Sequence, residues 1–304
     1  VTRVAAIDCG TNSIRLLVTD LDVDAGTAED QVRRMEIVRL GYGVDRTGRL
    51  DERALERTFA ACEDYARVIA DHGVERVRFV ATSATRDADN ADVFAAGVRE
   101  RLGVGPDVVT GSEEAALSFA GAARDLPDVE QPVLVVDLGG GSTELILGEG
   151  GVAGAEQSLD IGSVRMTERH LRSDPPTAAE VAECREDVDA VLDASTVDVA
   201  RARTVVGVAG TITTVAAHVL GLEAYDSARI HHARLPVRDV LASCDAILAA
   251  PVEERRSWPF MHPGRADVIG GGAAILARLL VRTTPDVLVV SEHDILDGIA
   301  WSLV

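Results

Sequence analysis

Asp137-Leu138-Gly139-Gly140-Gly141-Ser142-Thr143-Glu144 is the stretch from which the fold is read. The flanking runs 133–136 and 144–147, apolar apart from Glu144, predict a strand, a tight glycine turn and a second strand. Consecutive glycines admit positive φ and close backbone approach, so several N–H groups can converge on one anion. Ser142 and Thr143 add hydroxyl donors. Asp137 and Glu144 bracket the turn on adjacent strands, where their carboxylates can meet. Carboxylates beside a phosphate cradle suit Mg²⁺. Read alone, the same residues also make a glycine-rich β-turn with solvated acids.

A second copy removes much of that ambiguity. Asp8-Cys9-Gly10-Thr11-Asn12-Ser13 stands between the apolar runs 4–7 and 14–18. A shift of 129 residues pairs Asp8 with Asp137, Gly10 with Gly139, Ser13 with Ser142 and Leu16 with Leu145, all identical. A motif that occurs twice at domain-scale spacing indicates a duplicated α/β domain rather than a solenoid. The polar, proline-bearing segment 126–132 marks the boundary, giving domains 1–126 and 127–304. The final helix, from about residue 294, is expected to pack back on the first domain. Two phosphate turns facing each other form a clamp in an interdomain cleft, where ligand sites gather.

Around these turns the pattern predicts a strand at 35–40 after a polar loop, a helix over 51–72 ending at Gly73, and a strand at 77–80. A helix over 91–102, N-capped by Asn90, a strand at 108–109 and a helix over 112–123 complete the first half. The second half adds helices at 178–193 and 239–249, a strand–glycine turn–helix over 204–222, a helix from Gly270 to Leu280, and a strand at 287–290.

Composition narrows the chemistry. The 304 residues suit two domains, with 47% hydrophobic and 26% charged residues and a net charge of −20. All 30 basic residues are Arg. Without Lys there is no P-loop, no pyridoxal enzyme and no Schiff-base aldolase. The acidic balance, shared by both halves, argues against nucleic acid as a partner. Cys9, Cys62, Cys184 and Cys244 are scattered with no C-x-x-C pair, which fits a reduced cytoplasmic setting, and no signal peptide is read. Residues 204–222 hold a single ionisable side chain, His218, but three Gly and four Thr, so no membrane partner is expected. The histidines show no H-x-x-x-H or H-E-x-x-H spacing, and no G-x-S-x-G elbow is present.

Further candidates lie between the turns. Thr110-Gly111-Ser112-Glu113-Glu114 matches a capping box, but adjacent acids on a helix point in different directions. One can cap while the other, Glu114, faces the site as a base. Arg86, just past a strand end, is either a phosphate contact or a surface ion pair with Asp87 or Asp89. Arg15 and Arg265 are candidate phosphate contacts. Gly207-Val208-Ala209-Gly210-Thr211 reads as another phosphate loop or as a packing glycine pair. Cys9 reads as a small buried hydrophobe.

Taken together these residues resemble the exopolyphosphatase / guanosine pentaphosphate phosphatase family, in its short two-domain form. The resemblance rests on Ile7 to Ser13, Ala84-Thr85-Arg86, Thr110 to Ala115, Val136 to Glu144, Gly210-Thr211, Pro263 to Ile269, and Ser291 with Leu296-Asp297-Gly298. It implies two ribonuclease-H-like domains of the actin-like ATPase superfamily and release of terminal phosphate from polyphosphate or guanosine pentaphosphate with Mg²⁺, or Mn²⁺ in its place. It further implies Glu114 as the base that activates water, with Glu144 beside it in catalysis. By the same resemblance Asp137 and Glu144 are expected to hold the metal. Asp8, Gly10, Thr11, Asn12, Ser13, Arg15, Arg86, Gly139, Gly140, Gly141, Ser142, Gly210, Thr211 and Arg265 are expected to bind phosphate. The family also suggests a homodimer in the cytoplasm. Two other readings remain open at this level. One is an ATP-dependent small-molecule kinase or ATPase of the same superfamily. The other is a non-catalytic sensor of guanosine tetraphosphate or pentaphosphate.

Overall fold

The computed structural model describes residues 1–126 and 129–304, so Pro127 and Asp128, where the expected 126/127 boundary falls, lie outside the described residues. The chain divides into two compact units: unit 1 comprises residues 1–121 and 295–304, and unit 2 residues 122–294.

Unit 1 runs β1 (Thr2–Cys9), β2 (Ser13–Asp22), β3 (Thr27–Ile37), α1 (Val44–Thr47), α2 (Glu52–Asp71), β4 (Arg76–Ala81), α3 (Ser83–Arg86), α4 (Ala91–Leu102), β5 (Asp107–Val108) and α5 (Gly111–Ala123), whose end crosses into unit 2. Its sheet has the order β3-β2-β1-β4-β5, with β1, β4 and β5 parallel and the β1–β2–β3 meander antiparallel. Unit 2 runs β6 (Val133–Leu138), β7 (Thr143–Glu149), β8 (Val152–Leu159), α6 (Ser163–His170), α7 (Ala178–Asp193), β9 (Thr204–Val208), α8 (Ala209–Val219), α9 (Ser227–Ile230), β10 (Arg234–Pro236), α10 (Val237–Ala249), α11 (Val252–Ser257), α12 (Ile269–Leu280) and β11 (Val287–Val290). The chain then returns to unit 1 as α13 (Ile295–Trp301). The second sheet, β10-β11-β9-β6-β7-β8, read from its β8 end repeats the first. A meander (β8-β7-β6) is followed by two parallel strands (β9, β11), with β10 added antiparallel at the edge. The fold is α/β with two ribonuclease-H-like sheets, as the repeated hairpin implies.

The alternation of side chains along a strand explains why β1 is central. Ala5, Ile7 and Cys9 enter one core with Leu55, Cys62, Tyr65 and Val68 of α2 and Phe94 and Val98 of α4. Val4 and Ala6 face the other way, onto Leu117 of α5 and Ile295, Leu296, Ile299 and Ala300 of α13. Gly298 permits that second layer, because a Cβ there would strike the Leu117 backbone carbonyl. Helix ends are set locally. Asp51 caps α2 through the Arg53 and Ala54 N–H groups, and Thr177 with Glu180 forms a full capping box on α7.

Three local expectations are corrected. The third strand covers Thr27–Ile37 rather than 35–40; most of it is exposed at the sheet edge, so it carries no apolar alternation to read. Asn90 does not cap α4: its side chain bridges instead to the Leu50 backbone, accepting from the N–H at 2.8 Å and donating to the carbonyl at 3.1 Å. None of Gly10, Gly139, Gly140 and Gly141 takes a positive φ. Residues 204–222 divide into β9 and α8, and no helix among the described residues is long and apolar enough to cross a membrane. All four cysteines are buried free thiols. Burial pushes Cys62, Cys184 and Cys244 up to about 12, so their thiolates are suppressed.

Candidate active site

In unit 1 the parallel strands deliver three segments to one edge of the sheet. The turn after β1 is closed by Gly10 N–H donating to the Ser13 carbonyl at 3.0 Å. Beside it, Thr82 N–H donates to the Cys9 carbonyl, and the Thr11 and Ser83 hydroxyls lie 3.1 Å apart. The 38–41 segment braces the turn from outside. Val38 and Arg39 donate to the Asn12 carbonyl and Gly41 to that of Thr11, and Gly41 leaves no room for a Cβ against the Thr11 side chain. Asn12 Oδ1 is buried and makes no hydrogen bond among the described residues. Asp8 and Arg15 are directly opposite on β1 and β2, and Arg15 donates through Nε and Nη2 to Asp8 Oδ2 at 3.0 and 2.6 Å.

The adjacent acids at the start of α5 separate as a helix requires. Glu113 N–H donates to Thr110 Oγ1 at 3.2 Å, while the Glu113 carboxylate turns outward to Arg78 at 2.8 Å. Glu114 points inward and is only 6% exposed. Its Oε2 accepts from Arg86 Nη1 at 2.8 Å, and the same nitrogen donates to the Val109 carbonyl at 2.9 Å. Arg86 therefore pairs with Glu114. The short α3 carries Ser83, which meets Thr11 of the turn, at its start and Arg86, which meets Glu114, at its end.

Unit 2 repeats the closure. Gly139 N–H donates to the Ser142 carbonyl at 3.0 Å, the counterpart of Gly10 to Ser13. Asp137 and Glu144 are directly opposite across β6 and β7, 6% and 1% exposed. Glu144 Oε1 accepts from Ser158 Oγ at 2.7 Å. The first residues of α6 clasp the turn. Ser163 N–H donates to the Gly139 carbonyl, Val164 and Arg165 N–H to that of Gly140, and Arg165 Nε to that of Gly141 at 2.7 Å. Gly162 has no room for a Cβ against the Gly140 and Gly141 backbone, so close approach, not positive φ, is what glycine supplies here. With the turn's carbonyls taken, the N–H groups of Gly140, Gly141 and Ser142 make no hydrogen bond among the described residues. Successive unpaired N–H groups in a turn are one way in which a backbone can bind an anion.

The third segment of unit 2 starts where β9, whose Val208 is level with Asp137, turns into α8. Ala209 takes a left-handed φ of 67°. The Arg265 guanidinium lies over Gly210, where a Cβ would collide with it, and donates from Nη1 to Thr214 Oγ1 at 2.9 Å. Arg265 and Gly210 are thus brought together, whereas the Thr211 side chain is buried against Gly272. Gly41, Ser83, Ser158, Gly162 and Arg165 had no place in the sequence reading. Only Ser83, three residues before Arg86, carried a local signal.

This arrangement can be compared with known proteins. The model of the Ppx/GppA phosphatase family matches residues 21–304. The chain belongs to the Ppx/GppA phosphatase family. Among its family relatives, Exopolyphosphatase 2 of Mycobacterium tuberculosis is 52% identical over 317 aligned positions, covering 99% of this chain and 98% of the relative. A crystal structure of an exopolyphosphatase-like protein superposes with a TM-score of 0.95 at 45% identity, covering 99% of this chain and 97% of the other. The Aquifex aeolicus Ppx/GppA enzyme does so at 0.83 and 35%, covering 99% of each chain. As a Ppx/GppA member, the chain is a phosphate-releasing hydrolase.

Proposed function

We propose that this phosphatase is a metal-dependent phosphohydrolase that releases the terminal phosphate of inorganic polyphosphate, guanosine pentaphosphate or both. The observation that carries this reading is the pair of hairpin turns closed by the same hydrogen bond, one of them with three unpaired N–H groups in succession. The 52% identity to an exopolyphosphatase supports polyphosphate. A 37% identical segment of a Photobacterium profundum guanosine-5'-triphosphate,3'-diphosphate pyrophosphatase supports the nucleotide.

The residues fit Mg²⁺ or Mn²⁺. Asp137 and Glu144 are oxygen donors, almost fully buried and directly opposite on adjacent strands, the hard-donor set these ions select. When bound, such an ion neutralises charge on the phosphate oxygens. In this reading the turn N–H groups and Arg265 orient the phosphates, and Ser158 holds Glu144 in place. Glu114 takes a proton from the attacking water, and Arg86 fixes the Glu114 carboxylate. Phosphoryl transfer needs positioning and charge neutralisation more than covalent steps, and this set of residues offers both. The same reading takes the chain as a homodimer, to be checked by sedimentation.

Phosphate release from polyphosphate, guanosine pentaphosphate and ATP, each with Mg²⁺ and with chelator, tests the proposal. Mg²⁺-dependent release from either of the first two, exceeding that from ATP, is expected. ATP-dependent phosphorylation of a small molecule would assign a kinase. Tight binding of the guanosine compounds without release would assign a sensor.

A further inference from the structure

The chain passes between its units twice, at 121/122 and at 294/295. Within unit 2, three groups near these passages meet although 168 positions separate the first from the last. His231 Nε2 lies 3.0 Å from Asp125 Oδ2, and His293 Nδ1 lies 2.8 Å from the same oxygen. One ligand atom from each of Asp125, His231 and His293 is within 4.8 Å of the other two. A third imidazole closes in from the other side. His232 Nε2 is 3.8 Å from Asp125 Oδ1, buried, and without a hydrogen-bond partner among the described residues. His232 also holds a left-handed φ of 61°, a conformation a non-glycine residue keeps only when its surroundings enforce it. The rings are crowded, with centroids 3.7 Å apart for His231 and His232 and 4.6 Å for His231 and His293.

Satisfying one carboxylate does not require three imidazoles. Two nitrogens converging on one oxygen while a third faces the other is the donor chemistry of Zn²⁺, Co²⁺ or Ni²⁺, which favour imidazole. Mg²⁺ instead takes oxygen and water. We propose that Asp125, His231 and His293 form a transition-metal site that ties the first residues of unit 2 to its last. The site shares no residue with the carboxylate pair Asp137 and Glu144. His231 Nδ1 accepts the Glu292 N–H at 3.1 Å, so in the metal-free chain its proton sits on Nε2 and is donated to Asp125. Coordination through Nε2 moves that proton to Nδ1, releases the Glu292 N–H and replaces the hydrogen bonds of His231 and His293 to Asp125 by bonds from all three residues to the metal. The His293 proton moves from Nδ1 to Nε2 in the same step. Because neutral imidazole is the ligand, affinity falls as pH drops.

The test titrates Co²⁺ into the full chain, stripped by chelator and held in excess Mg²⁺, and follows visible absorption together with calorimetry. One equivalent of Co²⁺ with a d–d band is expected. The band should be lost in His293→Ala, show about tenfold weaker binding or worse in Asp125→Asn, and be unchanged in Glu144→Gln. Circular dichroism checks each fold, and His231→Gln replaces His293→Ala if the latter does not fold. Absence of a band in the parent chain, its survival in the histidine variant, or its loss in Glu144→Gln would overturn the proposal.

Discussion

Arg86 and Glu114 show how little freedom the proposed base has. A carboxylate 6% exposed is costly to keep charged without a partner, and Glu114 accepts a hydrogen bond from a guanidinium that the Val109 carbonyl also anchors. Arg86→Ala should therefore leave Glu114 misplaced, lowering kcat by about tenfold or more while KM changes less, the pattern of an interaction lost in the transition state. Steady-state kinetics on the preferred substrate checks this; a rise in KM at constant kcat would make Arg86 a ground-state phosphate contact instead. His218 makes a separate point. Burial between Ser243, whose hydroxyl is 2.8 Å from Nδ1, and the Trp258 ring holds its pKa below 6.5. The folded state then binds fewer protons than the unfolded one at low pH. The stability it contributes is present above about 6.5 and lost as pH falls below that value, through the lowered folded pKa. Thermal melts from pH 7.5 to 5 should show a shallower loss of Tm in His218→Phe than in the parent; equal slopes would remove His218 from the acid response.

At the scale of the element, the clasp of α6 on the glycine turn carries the argument. Gly162→Ala places a methyl group against the Gly140 and Gly141 backbone, which cannot swing aside as a side chain would. The expected result is a loss of about 1–3 kcal/mol in unfolding free energy, with substrate binding weakened as the turn is displaced. Unchanged phosphate affinity in a folded variant would separate the clasp from the site. The hairpins were legible in the sequence because strand alternation and a glycine turn are local signals, and the 129-residue repeat supplied an internal check. The clasp was not. The α6 helix has eight residues, SVRMTERH, with few apolar positions, and β8 before it reads VAGAEQSL, without β-branched alternation. Both are fixed by what they pack against. Asn90 failed as a predicted cap for the same reason, since the Leu50 backbone 40 positions away competes for its amide. The histidine cluster was illegible because its members lie on three separate segments with no ligand spacing.

At the scale of the whole molecule, the two units repeat one sheet order but carry different polar groups. Unit 1 carries the buried acid with its arginine, and unit 2 carries the carboxylate pair and the open N–H turn. A net charge of −20 gives the chain as a whole no attraction for a polyanion, so the proposed reading makes recognition local, through arginines, turn N–H groups and a bound cation. The most direct measurement is single-turnover phosphate release by Glu114→Gln, with substrate binding measured in parallel. If Glu114 is the base, release falls by about 10²–10⁴-fold with the dissociation constant within about threefold of the parent value. A variant that keeps more than about a tenth of the parent rate would contradict the account, because a base normally supplies at least two orders of magnitude.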